Sequence, residues 1–124
     1  VPAPQLATRA EVGAYGERVA AAFLRSKGYR VLYRNYLTER GELDLVCRDG
    51  EVLVFVEVRT RSSEEFGRPA ESIDAGKQQS VRYAADRYLD LLDRRDFHHR
   101  FDVVEVVLAP GQIPVCTLHP DFFS

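Results

Sequence analysis

The chain has 124 residues, 45% apolar and 29% charged, enough for one domain with a proper core but not for two. Its formal net charge of −2 argues against a basic nucleic-acid coat protein, although net charge says little about how charge is distributed. No apolar run approaches the roughly 20 residues needed to span a bilayer, and the N-terminus lacks a signal-peptide pattern, so no membrane partner and a cytoplasmic location are expected.

Val1-Pro2-Ala3-Pro4 reads as the start of a short flexible lead-in over 1–8. Thr8-Arg9-Ala10-Glu11 is a capping-box pattern, and the helix it opens carries Val12, Tyr15, Val19, Ala20, Phe23 and Leu24 at helical spacing. Gly28 is its stop signal. A first strand is predicted over 30–36, a second over 42–47 and a third over 52–59, the last two joined by a hairpin at Asp49-Gly50. The third strand is apolar on both faces, as in a strand covered on both sides. Residues 62–72 are polar, contain Gly67 and Pro69, and read as a loop. A second helix starts at Ile73 or Asp74 and runs to about 94, with Val81, Ala84, Ala85, Tyr88, Leu91 and Leu92 as its stripe. A fourth strand follows over 101–108, Pro110-Gly111 turns the chain, and Pro114 marks 113–118 as an edge strand. The order is that of a single α/β domain, a mixed sheet of about five strands flanked by helices.

Acidic residues are scarce on strands that otherwise read Leu, Val and Phe, and a buried carboxylate needs a partner. Alternation along the strands gives Glu42, Asp44 and Val46 one face, and Leu53, Phe55, Glu57 and Arg59 another. The hairpin then brings Asp44 and Glu57 onto neighbouring strands, as half of a site for a hard divalent cation, with Mg²⁺ or Mn²⁺ the natural choices. The Val58 carbonyl is a candidate third ligand. Ion pairs with Arg59, Arg61 or Arg34 are the alternative reading of the same two carboxylates. Cys47 and Cys116 read as buried, reduced thiols, and His98, His99 and His119 as surface loop residues. There is no phosphate loop and no nucleophile elbow.

An Asp followed at this distance by Glu-x-Lys or its variant resembles the PD-(D/E)xK nucleases. The helix GAYGERVAAAFLRSKGYRVLYRN, the stretch GELDLV, the strand VFVEVRTR, the loop FGRPAESID with Lys77 after it, and RFDVVEV resemble the YraN family. That family is nuclease-like and is similar in turn to the archaeal Holliday-junction resolvases. The resemblance implies a restriction-endonuclease-like fold over the whole chain. It also implies a Mg²⁺- or Mn²⁺-dependent endonuclease acting on nucleic acid, DNA first and branched DNA in particular. Resolvase-like relatives act as dimers, which makes a homodimer an expectation.

By the same resemblance Glu17 joins Asp44 and Glu57 around the metal, and Glu42 stands behind them as an orienting group. Lys77 reaches a phosphate or substitutes for the catalytic lysine. Arg59, Arg61 and Arg68, with Lys77, line the nucleic-acid path. Asp102 matches a family position, and a structural ion pair with an arginine is the expectation there. One departure stands out: Arg59 occupies the position where the family reads Lys. Arginine stays protonated and planar, so it can stabilise phosphate charge but is a poor proton carrier. The alternative function is therefore a catalytically inactive nuclease-fold domain that binds nucleic acid or serves as an adaptor.

Overall fold

The computed structural model describes residues 1–62, 73–93 and 97–124. Most of the 62–72 loop, with Arg68, and the expected end of the second helix at 94 lie outside these residues.

Helix α1 (Arg9–Ser26) starts at the capping box read from the sequence. Thr8 Oγ1 accepts from Glu11 N, and Glu11 Oε1 accepts from Thr8 N, both at 3.1 Å. It ends in a Schellman motif: Tyr29 N donates to Leu24 O and Gly28 N to Arg25 O, with Gly28 at φ 93°.

Strands β1 (Arg30–Leu37), β2 (Glu42–Asp49) and β3 (Val52–Ser62) form an antiparallel meander. The two-residue turn between β2 and β3 is Gly50-Glu51, one residue later than the expected Asp49-Gly50. Gly50 takes φ 61°, so the glycine is the first central residue of the turn, and Asp49 closes the ladder opposite Val52. Helix α2 (Ala75–Leu91), capped by Asp74, crosses over to β4 (His99–Leu108), which lies parallel to β3. Strand β5 (Val115–Phe123) returns antiparallel at the edge.

The sheet order is β1-β2-β3-β4-β5, a mixed five-stranded sheet of the α/β class with a helix on each face. Leu45, Cys47, Val54, Val56, Val104 and Val106 meet α1 on one face. Val46, Leu53, Phe55 and Phe101 meet α2 on the other. Burial on both faces is why residues 53–57 of β3 are all buried, as the unbroken apolar run predicted. Among the described residues no helix is long and apolar enough to cross a membrane.

Three expectations are corrected. The lead-in is tied down: Ala3 is buried, its N–H donates to Gln112 O and its carbonyl accepts from Gly111 N. Strand β5 begins later than 113 and runs past Pro120, because Pro120 lies on an edge strand where a missing N–H costs little. His99 opens β4 and His119 sits on β5 rather than in loops, His119 with Nε2 2.9 Å from Glu105 Oε1.

Cys47 is buried and Cys116 half-buried, both free thiols. Two strands separate them in the sheet, which rules out a disulfide between them. Burial pushes the Cys47 thiol up to about 12.

Candidate functional site

The sheet is split where the two carboxylates stand. The β2–β3 ladder stops at Leu45↔Val56. β2 nevertheless continues to Glu42 against β1, and β3 continues to Ser62 against β4. The next pair in register would be Asp44 and Glu57. Beyond it, the Val58 N–H no longer finds a β2 carbonyl and donates instead to Asp44 Oδ2 at 2.8 Å.

Alternation breaks at the same level. Leu45 packs with α1 while Leu43 packs with α2, although residues two apart on a regular strand share a face. Asp44 therefore does not simply share a face with Glu42 and Val46, as regular alternation had implied. Two local features account for the break. β2 has lost its β3 partner, and Asn35, between the β1 residues paired with Leu43 and Leu45, takes φ 56°. Asparagine is among the few non-glycine residues that tolerate this region.

Asp44 and Glu57 are 7% and 4% exposed, and with Asp102 they are the buried charged residues among those described. Burial first, then the Glu57 charge beside it, drives the Asp44 carboxyl well above the ordinary range, to about 8; the Val58 N–H pulls the other way, and a hydrogen bond with Glu57 adds to the rise. The Asp44 carboxyl therefore favours its proton near neutral pH unless a cation takes the proton's place.

Glu57 Oε2 also has two cations at hand: Lys77 Nζ at 3.5 Å, from the first turn of α2, and Arg59 Nε at 3.6 Å, from its own strand. Glu17, half-buried on α1, completes the acidic group. Its carboxyl is raised to about 6, first by burial and then by Asp44, with Glu42 adding and an Asn35 hydrogen bond opposing. Glu42 is thus close enough to be felt at Glu17, and it lines a small hollow with Lys77.

Why Glu17 reaches this point is visible in α1. A Cβ at Gly16 would collide with the Thr60 side chain, so a glycine there lets the helix sit close on β3. Gly13, one turn earlier, meets nothing within 4 Å. Of the two helix glycines, close approach to the sheet holds at Gly16 alone.

The donor set suits Mg²⁺ or Mn²⁺: hard oxygen ligands, two of them buried and mutually repelling. Among the described residues no three carboxylate, imidazole or thiol side chains are gathered into a ready metal cage. A cation that binds through one or two carboxylates, water and substrate phosphate needs no such cage. Arg61 is on β3, half-buried, two residues beyond Arg59.

A cleft of about 660 Å³ adjoins the acidic group. Glu17, Val58 and Arg59 line it, together with the N-terminal segment and the start of α1.

Asp102 belongs elsewhere, as the sequence had suggested. It is wholly buried and accepts from Arg100 Nε at 3.0 Å, from Tyr29 Oη at 3.2 Å and from Asp121 N at 2.8 Å. Arg100 also donates to Asp49 at 3.0 Å, which ties the β2–β3 turn to β4. Asn35 and the Glu105–His119 pair were missed by sequence reasoning. Asn35 had a weak signal, an asparagine inside a strand, and the pair had none, because its partners are 14 residues apart.

The fold and site define a mixed α/β domain with a buried acidic pair where its sheet divides. Residues 16–106 match the model of uncharacterised protein family UPF0102, and the chain belongs to that family. A UPF0102 protein of Moorella thermoacetica is 48% identical over 101 residues, 82% of this chain and 84% of the relative. One of Symbiobacterium thermophilum is 44% identical over 112 residues, 90% and 95% of the two chains. One of Alkaliphilus oremlandii is 43% identical over 100 residues, 79% and 86%.

Proposed function

We propose that this protein is a Mg²⁺- or Mn²⁺-dependent phosphodiesterase acting on nucleic acid, DNA first and branched DNA in particular. The observation that carries the reading is the buried Asp44–Glu57 pair at the split, with Glu17 near enough to Asp44 to be raised by its charge. Burying two carboxyls side by side is costly, because Asp44 must then keep a proton that water would have taken, and it contributes nothing to packing. A bound cation removes that cost and supplies what hydrolysis needs, an activated water and neutralised phosphate charge.

In this reading Asp44 and Glu57 hold the cation, Asp44 being fixed by the Val58 N–H. Glu17, with its raised affinity for a proton, takes part directly or through water. Arg59 faces the phosphate as a fixed positive charge. Lys77, anchored at Glu57, supplies the compact ammonium that the strand itself lacks. The water attacks phosphorus, the ester bond to the leaving oxygen breaks, and that oxygen takes up a proton.

Arg59 supports the second reading, a nucleic-acid-binding or adaptor domain that has kept the fold without the chemistry. Labelled single-stranded, duplex and four-way-junction DNA incubated with Mn²⁺ decides between them. Cleavage that Asp44→Ala abolishes supports the enzyme. Chelator-resistant DNA binding with no cleavage supports the binding domain, and unchanged cleavage by Asp44→Ala refutes the site.

A further inference from the structure

We infer that the cleft beside the acidic group is a subsite for one unpaired nucleotide, so that the strand acted on is single-stranded or locally opened next to the reacting phosphate. This rests on the phosphodiesterase reading above and narrows its substrate.

Size is the first argument. About 660 Å³ lies within the roughly 300–1,000 Å³ of pockets that enclose a small molecule. It holds a base with its sugar. A base still paired and stacked in a duplex cannot enter it.

Continuity is the second. Glu17 lines the cleft and senses the Asp44 charge. Val58 lines it and donates to Asp44, and Arg59 lines it and reaches Glu57. A phosphate held at Glu57 therefore has its neighbouring nucleotide at the mouth of the cleft.

The lining chemistry is the third argument. Leu6, Val12 and Leu108 offer apolar surface to the faces of a base. Arg9, exposed at the first position of α1, adds a positive charge at the rim for the next phosphate.

The protein also keeps this space open. Gly13 lines the cleft, and a Cβ built on it meets nothing within 4 Å. Glycine inside a helix costs stability relative to alanine, and nothing in the packing requires it here. The wall opposite is held in place by the hydrogen bonds of Ala3 to the β4–β5 turn.

Gly13→Leu tests the inference, since it fills the cleft and leaves the acidic group intact. Binding of a short fluorescent single strand, and of the corresponding blunt duplex, is followed by anisotropy with Ca²⁺ in place of Mg²⁺. Wild type is expected to prefer the single strand. Gly13→Leu should weaken it by about tenfold or more, the scale of one base contact, with duplex binding and Mn²⁺ affinity by calorimetry unchanged. Arg9→Gln is the second variant, and should lower single-strand affinity and flatten its salt dependence.

Single-strand binding equal to wild type in both folded variants overturns the subsite. If Asp44→Ala has meanwhile abolished cleavage, the phosphodiesterase reading stands without it. Absence of Mn²⁺ binding and of cleavage, with single-strand binding still lost in Gly13→Leu, overturns the chemistry and leaves the cleft a nucleotide site.

Discussion

Asp44→Asn is expected to stabilise the metal-free protein at neutral pH. The amide has the shape of the carboxyl and keeps an oxygen for the Val58 N–H at 2.8 Å. In the wild type the Asp44 carboxyl titrates at about 8, against an ordinary value of 3.8. The folded protein therefore keeps a proton that the unfolded chain has already released. The stability this contributes is fully present below about pH 4 and is lost progressively as pH rises to about 8. Each pH unit is worth about 1.4 kcal/mol, so between about pH 5 and about pH 7.5 the loss has an upper limit of roughly 3 kcal/mol. The Glu57 charge is part of the cause, so the figure belongs to the two side chains together. Glu17 titrates in the same window, but it is present in both proteins and largely cancels in the comparison. Urea unfolding with chelator present should thus find the variant more stable than wild type, with the difference widening by up to roughly 3 kcal/mol between about pH 5 and about pH 7.5. Added Mn²⁺ should raise only the wild type, by mass action. A variant less stable than wild type at both pH values, or a wild-type stability independent of pH, would refute the argument.

Other variants probe the same framework. Asp102→Ala should cost about 3–5 kcal/mol by leaving the Arg100 guanidinium without its buried partner, while Mn²⁺ affinity stays unchanged in calorimetry. Gly16→Ala should destabilise by about 1–3 kcal/mol through overpacking against Thr60, and Thr60→Ala should recover part of the loss in a double-mutant cycle. Arg59→Lys should raise the cleavage rate by restoring a compact ammonium beside Glu57; a fall would show that the guanidinium has its own role at the phosphate.

What the sequence made legible was whatever local pattern controls. The capping box and Gly28 bound α1, and the apolar run of β3 announced a strand covered on both sides. Asp44 and Glu57 stood out because carboxylates on such strands need a partner. The ion pair of Asp102 was legible because an arginine lies two residues away. What stayed hidden depends on register between strands. That the β2–β3 ladder ends at Leu45↔Val56, so that Asp44 caps the Val58 N–H, follows from how three strands meet. The anchoring of Ala3 likewise depends on the β4–β5 turn, more than 100 residues away in sequence. Pro114 marked the edge strand correctly and placed its start too early, because a proline shows which strand tolerates a missing N–H, not where pairing begins.

Register also shifts between Val31 and Tyr33 and between Phe101 and Val103, but three irregularities of this sheet fall at one level, and that coincidence is itself an argument about function. Asn35 adopts a left-handed conformation, β2 loses its alternation at Asp44, and β3 gives one N–H to a side chain instead of a neighbouring strand. Each costs stability taken alone, and strain of this kind persists where surrounding structure enforces it, most often at functional sites. A sheet built only for stability would have zipped β2 to β3 through this level and placed valines at 44 and 57. Instead Asp44 lies near enough for its charge to be felt at Glu17, and a glycine at 16 lets α1 sit close on β3. Lys77 reaches Glu57 from α2, the helix on the face that Glu57 shares with Leu53 and Phe55. The split thus gathers acid groups and cations from both layers at one place, which an unbroken sheet would have kept apart.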